Sequence, residues 1–300
     1  MTANEYLEQL LEEYKILDEE KENIKAKRDE IEEKLRSHFS DKISTVKYSG
    51  SISKKTAISA SKDIDIALHF KKGSFTTLKE MYDEVYDLLN EHYIGVQKQN
   101  VSIGLPLDNV DVVPGRRIEE GSNNDVNLYR KDTESSIKTN LETHKDHIKN
   151  SNCRKIIRLL KIWKYKHSLK FKSFALELLV IKALDGFEGT SLSAKTKKVL
   201  EYIEENVETV RLIDPANSNN IVSDVIDSFR KSMIKSTASN SLDHLKRIAE
   251  GTETELSAWK KVFNDYSSTT DSTNSFSLNT VSARATSDWG EQPERRHGED

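Results

Sequence analysis

Tyr48-Ser49-Gly50-Ser51, then Ile52 to Lys62, then Asp63-Ile64-Asp65-Ile66-Ala67-Leu68 is the stretch on which the fold turns. A Gly-Ser pair closes one apolar segment and an Asp-x-Asp opens the next. Side chains two apart on a strand project from one face, so Asp63 and Asp65 stand together. A third acid, Asp111, lies in Asn109-Val110-Asp111-Val112-Val113-Pro114. The run Val110 to Val113 reads as a short strand, and pairing beside the first would add its carboxylate to the same face. Three carboxylates within a few ångströms repel by about 1 kcal/mol per close pair even in water. Divalent cations relieve that repulsion, and two Mg²⁺ ions held by oxygen ligands, with nucleotide phosphates completing the octahedra, is the usual arrangement. Gly50 suits the same chemistry, because a phosphate approaches backbone N–H groups only where no Cβ intervenes. Ser51 adds a hydroxyl donor and a cap for the helix expected to follow.

A Gly-Ser pair alone is commonly only a turn, and Asp-x-Asp is common on surface strands. The conjunction carries the weight: Gly50-Ser51, an eleven-residue spacer, Asp63-x-Asp65, and Asp111 in a hydrophobic strand. This pattern resembles the signature of the DNA polymerase β-like nucleotidyltransferases. Thr56, five residues after Ser51, and the Asp-Val-Val-Pro ending at Pro114 narrow the likeness to the CD-NTases, bacterial relatives of cyclic GMP–AMP synthase and oligoadenylate synthase. The resemblance implies an α+β fold with a small mixed sheet, a helical C-terminal lobe and a long N-terminal helix bracing both. It implies metal-dependent synthesis of cyclic di- or oligonucleotides from ribonucleoside triphosphates (ATP and/or GTP, UTP, CTP), with release of pyrophosphate, in antiphage (CBASS) signalling. Gly50, Ser51 and Thr56 would then serve the incoming triphosphate. Asp63, Asp65 and Asp111 would bind two Mg²⁺ ions, for which Mn²⁺ substitutes, and Asp111 would also help activate the attacking hydroxyl.

The bulk numbers bound this reading. Charged residues make up 32% of the 300, aromatics 7%, and the net charge is only −4, so any basic site is local and no extended nucleic-acid surface is implied. Cys153 is the only cysteine, which excludes an internal disulfide and a cysteine-rich zinc site. No apolar run approaches the roughly 20 residues that span a bilayer, and the N-terminus is acidic and polar. A soluble, cytoplasmic, monomeric enzyme is expected.

Along the chain, residues 3 to 40 contain neither glycine nor proline, and Leu10, Leu17, Ile24 and Ile31 recur every seven residues. One long helix packed along a globular body is expected over 1–40, in preference to a coiled-coil dimer, because Lys21 and Arg28 interrupt the second stripe. The catalytic core follows over 41–132. Val46 to Tyr48, Ile64 to Phe70, Ile94 to Leu105 and Val110 to Val113 read as strands, 75 to 92 as an amphipathic helix, and 115 to 132 as a polar loop. Arg116 and Arg117 in that loop divide evenly between phosphate contact and a solvated rim. A helical lobe is expected over 133–266, beginning with a helix from Thr133 to Lys149, and a disordered tail over 267–300, where Ser, Thr and charges dominate.

In the helical lobe, Arg154, Arg158 and Lys161 share one face of a helix whose other face is apolar. Lys155, Lys164 and Lys166 read as solvated, whereas Arg158 and Lys161 are expected to hold phosphate, since a triphosphate needs cations opposite its metals. The resemblance adds Ser173, which also reads as an N-cap, and Phe174, which stands where relatives place a base-stacking tyrosine but lacks the hydroxyl. Asp214-Pro215-Ala216-Asn217 reads as a turn with a helix from Asn220. Some relatives are regulated through attachment of the C-terminus to a partner. This ending carries no motif for it, and a regulatory partner encoded alongside is left open. Two other readings stand beside the first: a template-independent transferase acting on an RNA end or a protein, and a non-catalytic nucleotide-binding module, which would be expected to have lost an aspartate.

Overall fold

In the computed structural model, residues 1–61, 63–121 and 124–266 are described, so the expected tail over 267–300 lies outside them. Five strands form the path of one sheet in the order β1 (Ile43–Tyr48), β2 (Ile64–Phe70), β5 (Val110–Arg117), β4 (Ile103–Leu105), β3 (Gln97–Lys98). β6 (Val126–Arg130) joins the far end of β5, and β7 (Ser135–Thr139) pairs with β6. β2 and β5 run parallel and the remaining pairs antiparallel, so the sheet is mixed. Ile64, Ile66, Leu68 and Phe70 of β2, with Val110 and Val112 of β5, send every second side chain into one core. That core is closed by Ile31, Leu35 and Phe39 of α2 (Asp18–Phe39) and by Met81, Tyr82, Val85, Leu88 and Leu89 of α4 (Leu78–His92). The sheet's other side carries a smaller cluster of Val101, Val113, Val126 and Leu128.

The expected single N-terminal helix is two: α1 (Ala3–Glu13) and α2, with the chain extended at Leu17. The cause is local. Asp18, Glu19 and Glu20 stack acid into one first turn, where the helix dipole favours it, and Glu20 Oε2 accepts the Leu17 N–H at 2.9 Å. Three acids in a row outweigh the absence of glycine and proline.

The chain forms two compact units, and the break separates α1 from α2 between them. The sheet unit comprises Lys15–Arg154 and Arg211–Val225. The helical unit comprises Met1–Tyr14, Lys155–Val210 and the described part of the chain from Ile226 on. The division after Arg154 replaces the one expected after residue 132, because the end of β5 and all of β6 fall within the loop foreseen over 115–132, and β7 stands where the helix was foreseen from Thr133. Ile137 packs on Val126 and Leu128 there, and α5 (Leu141–Asn150) begins only after the cap at Asn140, whose Oδ1 accepts from the Glu142 and Thr143 N–H groups.

The turn expected over Asp214 to Asn217 is present, but it closes a hairpin of β8 (Ile213–Asp214) with β9 (Asn217–Ile221), where a helix was expected from Asn220. Asp214 is buried and makes it cohere: its Oδ1 takes the Ala216 N–H at 2.8 Å and meets His144 Nε2 at 2.7 Å, and its Oδ2 takes Asn220 Nδ2 at 3.0 Å. Burial pushes the Asp214 carboxyl up, but the bond and charge of His144 and the two amide donors hold it below the usual carboxylate value. His144 therefore has a structural partner and α5 is tied to the hairpin.

In the helical unit, α6 (Arg154–Lys166) and α7 (Ser173–Ala183) bury Leu160, Trp163, Leu176 and Leu179, followed by α8 (Leu192–Asn206), α9 (Ser228–Ala249) and α10 (Glu255–Val262). α9 begins at Ser228, eight residues beyond the helix start expected at Asn220, and runs unbroken to Ala249. α1 belongs here, with Tyr6 edge-on to Phe263 at 6.3 Å.

Candidate active site

Parallel register sets the acidic face. Asp65 of β2 stands directly beside Asp111 of β5, and Asp63 precedes β2 by one residue, so strand alternation assigns all three to the face opposite Ile64, Ile66 and Val112. Asp111 is buried, at 4% exposure, and Asp63 and Asp65 are half-buried. The acids therefore do not stand on an open surface.

Gly50 is shaped to that face. It opens α3 (Gly50–Lys54) with φ +52°, and a Cβ built there would lie 1.7 Å from Asp65 Oδ2. The carboxylate of Asp65 thus occupies the space any other residue's side chain would need. The Ser49 N–H also donates to the Asp65 carbonyl at 2.8 Å, fixing the Gly-Ser turn to the strand that carries the acids. Ser49, not Ser51, is the N-cap residue, and Ser51 is the second residue of the helix. α3 ends on Lys55 in the left-handed region, with the Thr56 N–H reaching back to the Ser51 carbonyl at 2.9 Å, a Schellman closure. Thr56 is fully buried and shapes the loop from behind. Arg154, grouped by sequence with the phosphate-facing cations, donates from Nε to the Lys54 carbonyl at 3.0 Å and so holds the C-terminal end of α3.

One residue of this region carried no sequence signal. Gln99, between β3 and β4, donates from Nε2 to Asp111 Oδ1 at 2.9 Å and accepts the Ser102 hydroxyl on Oε1 at 2.6 Å. Only the paired register of β4 against β5 shows that residue 99 reaches residue 111.

The basic residues of α6 are placed differently from expectation. Lys161 is 3% exposed and pairs with the fully buried Glu177 at 2.8 Å. Arg158 donates from Nη2 to the Leu11 carbonyl at 2.6 Å, and burial lowers its guanidinium pKa. The cation beside Ser173 is Lys164, with Nζ 3.4 Å from Ser173 Oγ. Ser173 is the first residue of α7, whose N-cap is Lys172, and Phe174 follows, half-buried. Arg116 donates to the Phe75 carbonyl at 2.6 Å and Arg117 to Ser44 Oγ at 2.7 Å, so both serve the sheet's edge.

The donor set suits hard divalent cations: three carboxylates, no thiolate or imidazole among them, on one face beside a glycine that leaves room for the Asp65 carboxylate. Among the described residues, no group of three or more His, Cys, Asp or Glu already stands in metal-holding geometry. Asp111 Oδ1 is turned to Gln99.

Comparison with known proteins supports the same assignment. The profile of the Second Messenger Oligonucleotide or Dinucleotide Synthetase domain, SMODS, matches residues 1–152. No curated protein sequence matches significantly. Among solved structures, CdnC of E. coli MS115-1 in complex with HORMA-deltaN aligns with a TM-score of 0.67 at 19% identity, over 87% of this chain and 96% of that one. DncV of Vibrio cholerae in its 3′-deoxy ATP bound form aligns with 0.65 at 15% identity, over 85% and 91%. The CD-NTase CdnG of Bradyrhizobium diazoefficiens, in complex with GTP, aligns with 0.63 at 11% identity, over 84% and 95%. At these identities the structural likeness is one of fold.

Proposed function

The chain belongs to the SMODS family of second-messenger synthetases and is a nucleotidyltransferase, and from that premise we propose that it joins ribonucleoside triphosphates into a cyclic di- or oligonucleotide with release of pyrophosphate. The observation that carries this reading is the fit of Gly50 to Asp65 beside the Asp65–Asp111 register pair. A bare turn needs no glycine packed against a carboxylate, whereas a phosphate-binding turn beside metal ligands does.

In this reading Asp63, Asp65 and Asp111 hold two Mg²⁺ ions, with Mn²⁺ as a substitute. Bound there, the ions would neutralise the triphosphate and lower the pKa of the attacking ribose hydroxyl. The Gly50-Ser51 backbone and the Ser51 hydroxyl bind and orient the triphosphate so that its α-phosphorus faces the acceptor hydroxyl. Asp111, held by Gln99, marks the acceptor side. Thr56 and Arg154 keep α3 in place from behind. In the helical unit, Ser173 and Lys164 bind phosphate oxygens, with Lys164 taking the role the sequence suggested for Lys161; Phe174 supplies an apolar ring next to them. ATP and GTP are the substrates we favour, because relatives of this fold are known with ATP, 3′-deoxy ATP and GTP. Antiphage signalling as the physiological setting rests on the family alone. A protein partner is favoured by the HORMA-bound CdnC.

The test is incubation of the purified protein with the four α-labelled ribonucleoside triphosphates and Mg²⁺ or Mn²⁺, then phosphatase, chromatography and mass spectrometry. A phosphatase-resistant product is expected, and its mass reports bases and ring size. Label transferred to added RNA or protein, with no resistant small product, would replace this reading with a template-independent transferase.

A further inference from the structure

We propose that Gln99 is a positioning residue for the third carboxylate: it orients Asp111 for cation binding through a relay that begins at Ser102. The inference rests on the assignment of Asp63, Asp65 and Asp111 as the metal face.

The chemistry of the contact fixes which way the amide points. An ionised carboxylate only accepts, so Gln99 must present its NH₂ group to Asp111 and its Oε1 away from it. Oε1 meets a donor there, the hydroxyl of Ser102 at 2.6 Å. Ser102 is fully buried, so the donor end of this amide-locking bond is enclosed. The turn bearing both residues is itself pinned. Tyr82 OH lies 2.8 Å from the Gln99 carbonyl and 2.9 Å from the Ser102 carbonyl, and the Gln99 N–H donates to the Ser102 carbonyl at 3.0 Å. A rigid turn thus holds a glutamine in one amide orientation against one oxygen of Asp111.

Space for this contact comes from Gly104. It is the register partner of Asp111 across the β4–β5 pair, and a Cβ there would fall 2.5 Å from Gln99 Nε2 and 3.1 Å from Asp111 Oδ1. Its φ lies outside the left-handed region, so alanine would meet no backbone penalty at this position. What glycine provides is the slot through which Gln99 reaches the acid. Outer partners of this kind orient ligating carboxylates, and losing one typically weakens metal affinity or activity by about 10- to 100-fold.

The experiment uses the full chain and four variants, Gln99→Met, Gly104→Ala, these two combined, and Asp63→Asn with Asp65→Asn. Mn²⁺ binding is followed by electron paramagnetic resonance without nucleotide. Product formation is followed at saturating Mn²⁺, with thermal unfolding as a control. Gln99→Met keeps the volume and removes the donor. It should weaken Mn²⁺ binding and lower kcat by about 10- to 100-fold, while KM for the nucleotide stays within about threefold and the unfolding midpoint stays near the parent's. Gly104→Ala should do the same in kind, and the double variant Gln99→Met/Gly104→Ala should be no worse than its worse parent, because both remove one contact. Gln99→Met with parental Mn²⁺ affinity and kcat would overturn the proposal, as would additive losses in the double variant. Mn²⁺ binding that the Asp63/Asp65 variant leaves unchanged would overturn the metal face itself and this role with it; binding abolished there yet intact in Gln99→Met would overturn the role alone.

Discussion

The acidic face of the sheet and the basic face of α6 are both charged stripes on otherwise apolar elements, and the fold uses them in opposite ways. Asp63 and Asp65 stay half-open beside Gly50, and Asp111 is steered by Gln99. On α6, Lys161 is consumed by Glu177, and Arg158 by the Leu11 carbonyl, leaving Lys164, one of three lysines that read as solvated, beside Ser173. The contrast follows from side-chain reach. An aspartate on a strand has two directions available and a short stem, so period and register decide its place. A lysine or arginine has a long flexible stem and finds a partner remote in sequence that periodicity does not reveal.

The sharpest way to break this comparison is to disarm the acidic side. Asp63→Asn with Asp65→Asn should lower product formation by roughly 10³-fold, with an unfolding midpoint close to the parent's; retained turnover would leave the acids no more functional than the buried cations. The basic side should respond in stability. Glu177→Ala strands a buried ammonium and should cost about 3–5 kcal/mol in urea unfolding, whereas Lys161→Met with Glu177→Leu should be nearly neutral. A Glu177→Ala protein as stable as the parent would return Lys161 to the list of phosphate ligands.

A third effect comes from His69, on the same strand face as Asp65 but fully enclosed. Burial, with the nearby charges of Arg117 and Lys47, pushes its pKa down from 6.5 to about 4. The folded state therefore favours neutral imidazole. This contribution, about 3 kcal/mol, is complete above pH 6.5 and is lost as the pH falls from 6.5 to about 4. Urea unfolding at pH 7 and pH 4.5 should show a loss that His69→Gln reduces. The smallest effect is expected at Lys164: Lys164→Met should raise KM for the nucleotide about tenfold with little change in stability, whereas an unchanged KM would leave Ser173 without a phosphate-binding cation.

Much of the sheet was legible because its signal is local. Alternation over Ile64 to Phe70 and the Val110 to Val113 run located the parallel pair, and spacing located α4. The N-terminal break was present in the sequence as Asp18-Glu19-Glu20 but was outvoted by the heptad pattern. β7 was hidden by its polar composition: Ser135–Thr139 holds a single apolar residue, Ile137, and pairs through its backbone, whereas β6 carries Val126, Leu128 and Tyr129 inside a stretch whose flanks are polar. Gln99 was illegible because its importance depends on the empty slot at Gly104, a property of two strands in register and not of either alone.

The return of residues 211–225 to the sheet unit has a consequence for protein engineering. The chain leaves that unit after Arg154 and re-enters it at Arg211, so the unit holding the acids is not a transferable cassette. A gene fragment cut where the family profile ends, at residue 152, would carry His144 without Asp214 and Lys138 without the amide of Asn217. Loss of the helical half by truncation or frameshift would therefore also remove pieces of the sheet unit, so shuffling between relatives is best planned with four junctions, one at each crossing, after Tyr14, Arg154, Val210 and Val225.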